Sequence, residues 1–181
     1  GALGNEYFRF FDIRQATAIT MGGQLSIRWI ERKMNEYLNK LLDTGNEDYV
    51  VASDTDSLYI VFDGLVNKVL PKGSDLSEDH YKRKVVDFLD NVARQKIEPF
   101  IDKSYEELAK GMNAYAQKMQ MKREVIADRG IWTAKKRYIL NVHDSEGVRY
   151  KEPKLKMMGI EAVKSSTPEI CRTAIIDALK I

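Results

Sequence analysis

The tetrapeptide Asp54-Thr55-Asp56-Ser57 places two carboxylates two residues apart, between the runs Tyr49 to Ser53 and Leu58 to Phe62. Both runs are rich in residues that favour strands, and an interruption by turn formers predicts a β-hairpin with the acids at its tip. Like charges held this close repel one another unless a cation lies between them, and carboxylate oxygens are the ligands that Mg²⁺ and Mn²⁺ take. The chemistry such a pair supports is metal-assisted transfer of a phosphoryl or glycosyl group. Asp, Thr and Ser are also ordinary turn residues that hydrogen-bond their own backbone, so the tetrapeptide alone also describes a plain turn.

Charge is distributed unevenly around this pair. The whole chain of 181 residues carries +2, yet residues 115–164 hold twelve basic residues against six acidic ones, so this stretch carries +6 and the remainder −4. A basic region accompanying an acidic metal site suits a protein that processes a polyanion, although a solvated basic face has the same composition. No apolar run approaches the ~20 residues of a membrane span. The single Cys171 forms no internal disulfide, and His80 and His143 lie far apart without cysteines at zinc spacing. A reduced, cytosolic setting is expected, and a zinc site is not.

Several elements must position these residues. Ala16, Ile19, Gly23, Ile27, Ile30, Met34, Leu38 and Leu41 recur at steps of three and four, which predicts one long amphipathic helix. Asp12 with Gln15 resembles a capping box, Gly45 stands where a C-terminal cap belongs, and Gly22-Gly23 suggest a bend or a close backbone contact. A polar loop with Pro71, Gly73 and Ser74 precedes a second helical pattern through Tyr81, Val85, Phe88, Leu89 and Val92, which Pro99 should kink or restart. Strands are expected over 122–127, 132–142 and 148–151, the last two joined by a turn at 144–147. Thr167-Pro168-Glu169 then opens a final helix with Thr167 as its cap. One α+β domain with an antiparallel sheet packed against long helices follows.

Taken together, Gly1-Ala2-Leu3-Gly4-Asn5, Asp54-Thr55-Asp56-Ser57, Lys135-Lys136-Arg137-Tyr138 and Lys164-Ser165-Ser166-Thr167-Pro168 follow the order and rough spacing of one family. The chain resembles, nearly end to end, the palm domain of a family B DNA polymerase, and in particular the replicative enzymes of T-even-type bacteriophages. The resemblance implies a palm over 1–166, the start of a thumb helix over 167–181, and catalysis of nucleotidyl transfer to a primer 3′-end with Mg²⁺, or Mn²⁺ in its place. It makes Asp56 the principal metal ligand and catalytic acid, Asp54 a supporting one, and Glu124 a further glutamate near the metals. It makes Lys135, Lys136, Arg137 and Tyr138 a motif along the primer terminus, and Lys164 a primer-phosphate contact at the palm-to-thumb junction. If 132–142 is one strand, Lys135 and Arg137 point one way, and Lys136 and Tyr138 the other. Contacts of this kind carry little sequence information, as copying any template requires.

The partners implied are primer-template DNA, deoxynucleoside triphosphates, and the remainder of a polymerase chain or a separately encoded subunit, with no membrane. The setting would be a bacterial host's cytoplasm if the chain is phage-encoded. Ala52-Ser53 stands where the family commonly has Tyr-Gly, and Asp128-Arg129-Gly130 reads as a shortened connection. The family's other metal-binding Asp and its triphosphate-binding Lys would precede Gly1, so the chain is expected to be inactive by itself. Two other classes fit parts of the pattern: a non-catalytic duplex-binding module with vestigial aspartates, and a metal-dependent glycosyltransferase, which would need an upstream nucleotide-binding half.

Overall fold

A computed structural model describes residues 1–72 and 77–179; the expected loop residues Gly73 and Ser74 lie outside them. In chain order the elements are α1 (Ile13–Leu42), β1 (Val50–Asp54), β2 (Ser57–Ile60), α2 (Asp63–Val69), α3 (Glu78–Val92), α4 (Glu98–Gly111), β3 (Val125–Ala134), β4 (Arg137–Ser145), β5 (Val148–Met158) and α5 (Glu169–Ala178). The expected mixture of long helices and antiparallel strands is present. The strands form two separate sheets, a β1-β2 ribbon and a β3-β4-β5 meander. Contacts divide the chain into two compact units where one domain was expected: Gly1–Ser77 with Arg94–Lys122, and Glu78–Ala93 with Arg123–Ile181.

In the first unit the Asp12 side chain caps α1, accepting from the amides of Arg14 at 2.9 Å and Gln15 at 3.4 Å. The apolar stripe is buried only in the second half of the helix. Ile30, Met34 and Leu38, spaced by four, are fully buried, whereas Ile19 is 66% exposed. They share the core with Ile97, Ile101, Tyr105 and Leu108 of α4 and the residue before it. Trp29 Nε1 donates to the Ser104 carbonyl at 2.9 Å, and the rings of Tyr37 and Phe100 stack at 4.3 Å. The α1 helix runs through Gly22 and Gly23, and a Cβ at either would meet nothing within 4 Å, so neither marks a close backbone approach.

Asp43, not Gly45, ends α1, with φ of 59° and its amide donating to the Asn39 carbonyl. A short polar side chain tolerates this left-handed geometry by bonding locally. Pro99 sits in the first turn of α4, after a π-helical segment over Ala93–Ile97, where its missing N–H would have no helical partner. The short helix α2, which buries Leu65 and Val66, was not foreseen.

In the second unit β4 is the central strand, and its buried face alternates strictly through Tyr138, Leu140, Val142 and Asp144. Two corrections follow from the pairing of Ala134 with Arg137. Residues 132–142 are not one strand, because Lys135-Lys136 form a two-residue turn, with Lys136 at φ 60°. The expected alternation of Lys135 and Lys136 between sheet faces therefore does not hold. Asp128-Arg129-Gly130 is likewise no connection but lies inside β3.

At Gly130 a Cβ would approach the Trp132 ring to 2.7 Å and Leu140 Cδ2 to 2.8 Å, so a side chain there would displace the ring. The second turn, Glu146-Gly147, falls within the expected 144–147, and both residues have positive φ, as tight hairpins favour. Pro168, not Thr167, occupies the cap position of α5, with no side-chain cap bond.

Candidate functional site

The acidic turn is built from α1 upward. Asn35 Oδ1 accepts from the amides of Tyr49 at 2.9 Å and Val50 at 3.2 Å, and Asn35 Nδ2 donates to Asp48 at 2.8 Å. One turn later Asn39 bonds both the amide and the carbonyl of Glu47 at 2.8 Å. These two side chains satisfy backbone groups entering β1, and so fix the strand that ends in Asp54. Ser53 Oγ donates to Glu31 Oε2 at 3.3 Å on the same helix.

β1 and β2 pair as far as Asp54 and Ser57, leaving Thr55-Asp56 as a two-residue turn. Thr55 has φ of 35°, strained for a β-branched residue, and its hydroxyl donates to Asp54 Oδ1 at 3.1 Å. Ser57 Oγ donates to the Asp54 carbonyl at 3.2 Å. Asp56 is exposed at the tip and Asp54 is half-buried at the strand end. The pair offers hard oxygens to solvent. Among the described residues no group of three or more His, Cys, Asp or Glu could hold a metal ion. A cation bound by this pair would complete its shell with water or phosphate oxygens.

Glu124 belongs to the second unit, just before β3, and its carboxylate is paired with Lys156. In this unit the basic residues named from sequence gather at one end. Lys135 and Lys136 are exposed at the turn, and among the described residues neither has an acidic partner. Arg137 Nη2 donates to both carboxylate oxygens of Glu161, at 2.7 and 2.6 Å. Lys164 Nζ donates to Glu161 Oε1 at 3.1 Å. Tyr138 is 6% exposed, on the buried face of β4 beside Trp132.

At the opposite end of the meander, beside the Glu146-Gly147 turn, lies a charged cluster that sequence reading did not foresee. Asp144, fully buried, is paired with Arg123 and with Arg149 at 3.2 Å, and it accepts from the Gly147 amide at 3.0 Å. Arg123 also pairs with Asp90 of α3, which ties that helix to the meander. Asp128 accepts from Asn141 at 2.7 Å and lies 3.2 Å from His143 Nε2 and 3.3 Å from Lys82. Burial raises the Asp128 pKa, but hydrogen bonds from Asn141, His143 and Lys82 outweigh it and hold the carboxyl below its usual range.

Sequence reading missed Asn35, Asn39 and Glu161. Their spacing shows no signal, because each earns its role from a partner on another segment. No helix among the described residues is long and apolar enough to cross a membrane.

Over 99% of its length the chain is similar to the DNA-directed DNA polymerases of Escherichia phage RB69, at 46% identity, and Enterobacteria phage T4, at 44%. It spans 20% of the length of each of these relatives. No family model matches the chain.

Proposed function

We propose that this chain supplies metal-binding and primer-binding residues to a family B DNA polymerase, acting as palm over 1–166 and as the start of the thumb over 167–181. One observation carries the reading: 99% of the chain aligns with DNA-directed DNA polymerases at 44–46% identity. The substrates are then primer-template DNA and deoxynucleoside triphosphates, and the remainder of the polymerase, in the same chain or a separate subunit, completes the centre.

In this reading Asp56 is the principal ligand and Asp54 the supporting one, and carboxylates at a solvent-reachable turn are donors of the kind Mg²⁺ takes. When bound, that ion supplies Lewis-acid stabilisation to the oxygens exchanged in nucleotidyl transfer. The protein's own contribution is orientation. Asn35 and Asn39 hold the start of β1, and the Thr55 hydroxyl holds one Asp54 oxygen, so the acids are presented in one direction. Lys135, Lys136, Arg137 and Lys164 engage backbone phosphates of the primer-template. Tyr138, within the sheet, supports the hairpin that carries them. Glu124, which belongs to the second unit and is paired there with Lys156, is the further acid that this reading names.

The engagement of Glu124 by Lys156 favours as second reading a duplex-binding module with vestigial aspartates. A Mn²⁺ titration followed by electron paramagnetic resonance separates the two. The polymerase reading expects saturable binding that Asp56→Ala abolishes; identical titrations for the two proteins would leave only the duplex-binding module.

A further inference from the structure

Glu161 is the acid at the centre of the basic end of the second unit. It follows Gly159 and Ile160, where the chain leaves β5 and forms a short 3₁₀ turn over Glu161–Val163. Ile160 and Ala162 are buried on either side of it, so the backbone is anchored while the carboxylate faces outward. Gly159 adopts φ +65°, and a Cβ there would lie 2.3 Å from the carbonyl oxygen of Lys136. The segment therefore passes directly against the Lys135-Lys136 turn. Amides of Val163 and Lys164 close back onto the carbonyls of Ile160 and Glu161, and Thr167 onto Lys164, which fixes the stretch leading to Lys164.

This rigid frame aims one carboxylate at two cations from separate segments, Arg137 at the start of β4 and Lys164 after the 3₁₀ turn. All three side chains are about two-fifths exposed, at 39% for Arg137, 45% for Glu161 and 43% for Lys164. Ion pairs this accessible contribute about 0–1 kcal/mol, so stability does not account for the arrangement. Four cations and one acid leave this end with a charge of +3. The Glu161 N–H contacting its own carboxylate, then Lys164 and Arg137, hold the Glu161 pKa below its usual range and keep it ionised.

We propose that Glu161 is a positioning residue for nucleic-acid binding, which holds Arg137 and Lys164 at a set spacing so that both meet the phosphate backbone from one face. The inference rests on the primer-binding reading above and deepens it. Long flexible side chains lose rotamer freedom when they grip a phosphate, and a carboxylate that pre-orders them reduces that loss. Its charge opposes the polyanion, so positioning and electrostatics predict opposite signs for its removal.

The test is fluorescence anisotropy of the chain with a short primer-template duplex at matched salt. Glu161→Gln, nearly isosteric, should weaken binding several-fold and flatten its salt dependence, despite removing a negative charge. In an Arg137→Ala/Lys164→Ala background the same change should tighten binding, because only the charge effect is left. Glu161→Asp, which keeps the charge but withdraws it by one methylene, should weaken binding as well. Tighter binding by Glu161→Gln alone, equal weakening in both backgrounds, or wild-type affinity for Glu161→Asp would each overturn the proposal while leaving the primer-binding reading standing. A wild-type chain that shows no salt-dependent affinity for the duplex would end that reading, and this inference with it.

Discussion

Asp144 occupies a position on β4 where the strict alternation of the strand would place an apolar residue. A buried carboxylate persists there because Arg123, Arg149 and the Gly147 amide surround it. Removing one partner of such a cluster leaves charges uncompensated, so Asp144→Ala should destabilise the protein by roughly 3–5 kcal/mol, read from its urea unfolding midpoint. Asp128 responds to pH. Its folded pKa is depressed, so its stabilisation is present above the unfolded value, about 3.9, and is lost as pH falls through the lower folded value. Asp128→Asn should therefore flatten the fall of the urea midpoint below about pH 4, and an unchanged slope would remove Asp128 from the acid response.

The capped start of α1 was legible because Asp12 is followed by helix-period apolar residues, and capping depends only on neighbours. Its end was not, since Asp43 takes the left-handed conformation that Gly45 was expected to supply. The β3-β4 turn was missed for a related reason: lysines seldom mark turns, and the aromatic and β-branched residues flanking them read as one continuous strand. The central glycines of α1 offer a direct check. With space for a Cβ at Gly22 and ordinary helical geometry, Gly22→Ala should stabilise by roughly 0.8–1 kcal/mol, seen as a raised thermal midpoint. A loss of stability would show that the glycine serves a contact after all.

At the scale of the molecule the acidic hairpin belongs to the first unit and the basic turn to the second. If Lys136 meets a phosphate, Lys136→Ala should lower the slope of log affinity against log salt for duplex DNA by about one, whatever the duplex sequence. A slope equal to wild type would remove Lys136 from the contacts. Local rules acting on neighbouring residues determined what could be read in advance: the Asp-bearing hairpin, the amphipathic helices, the Glu146-Gly147 turn and the concentration of positive charge. Tertiary structure alone decided that α3 joins the meander through Asp90 and Arg123, that Asn35 and Asn39 hold β1, and that Glu161 gathers Arg137 and Lys164. Most of these contacts join residues ten to thirty-odd positions apart, and their energy depends on a distance in space that composition and periodicity do not encode.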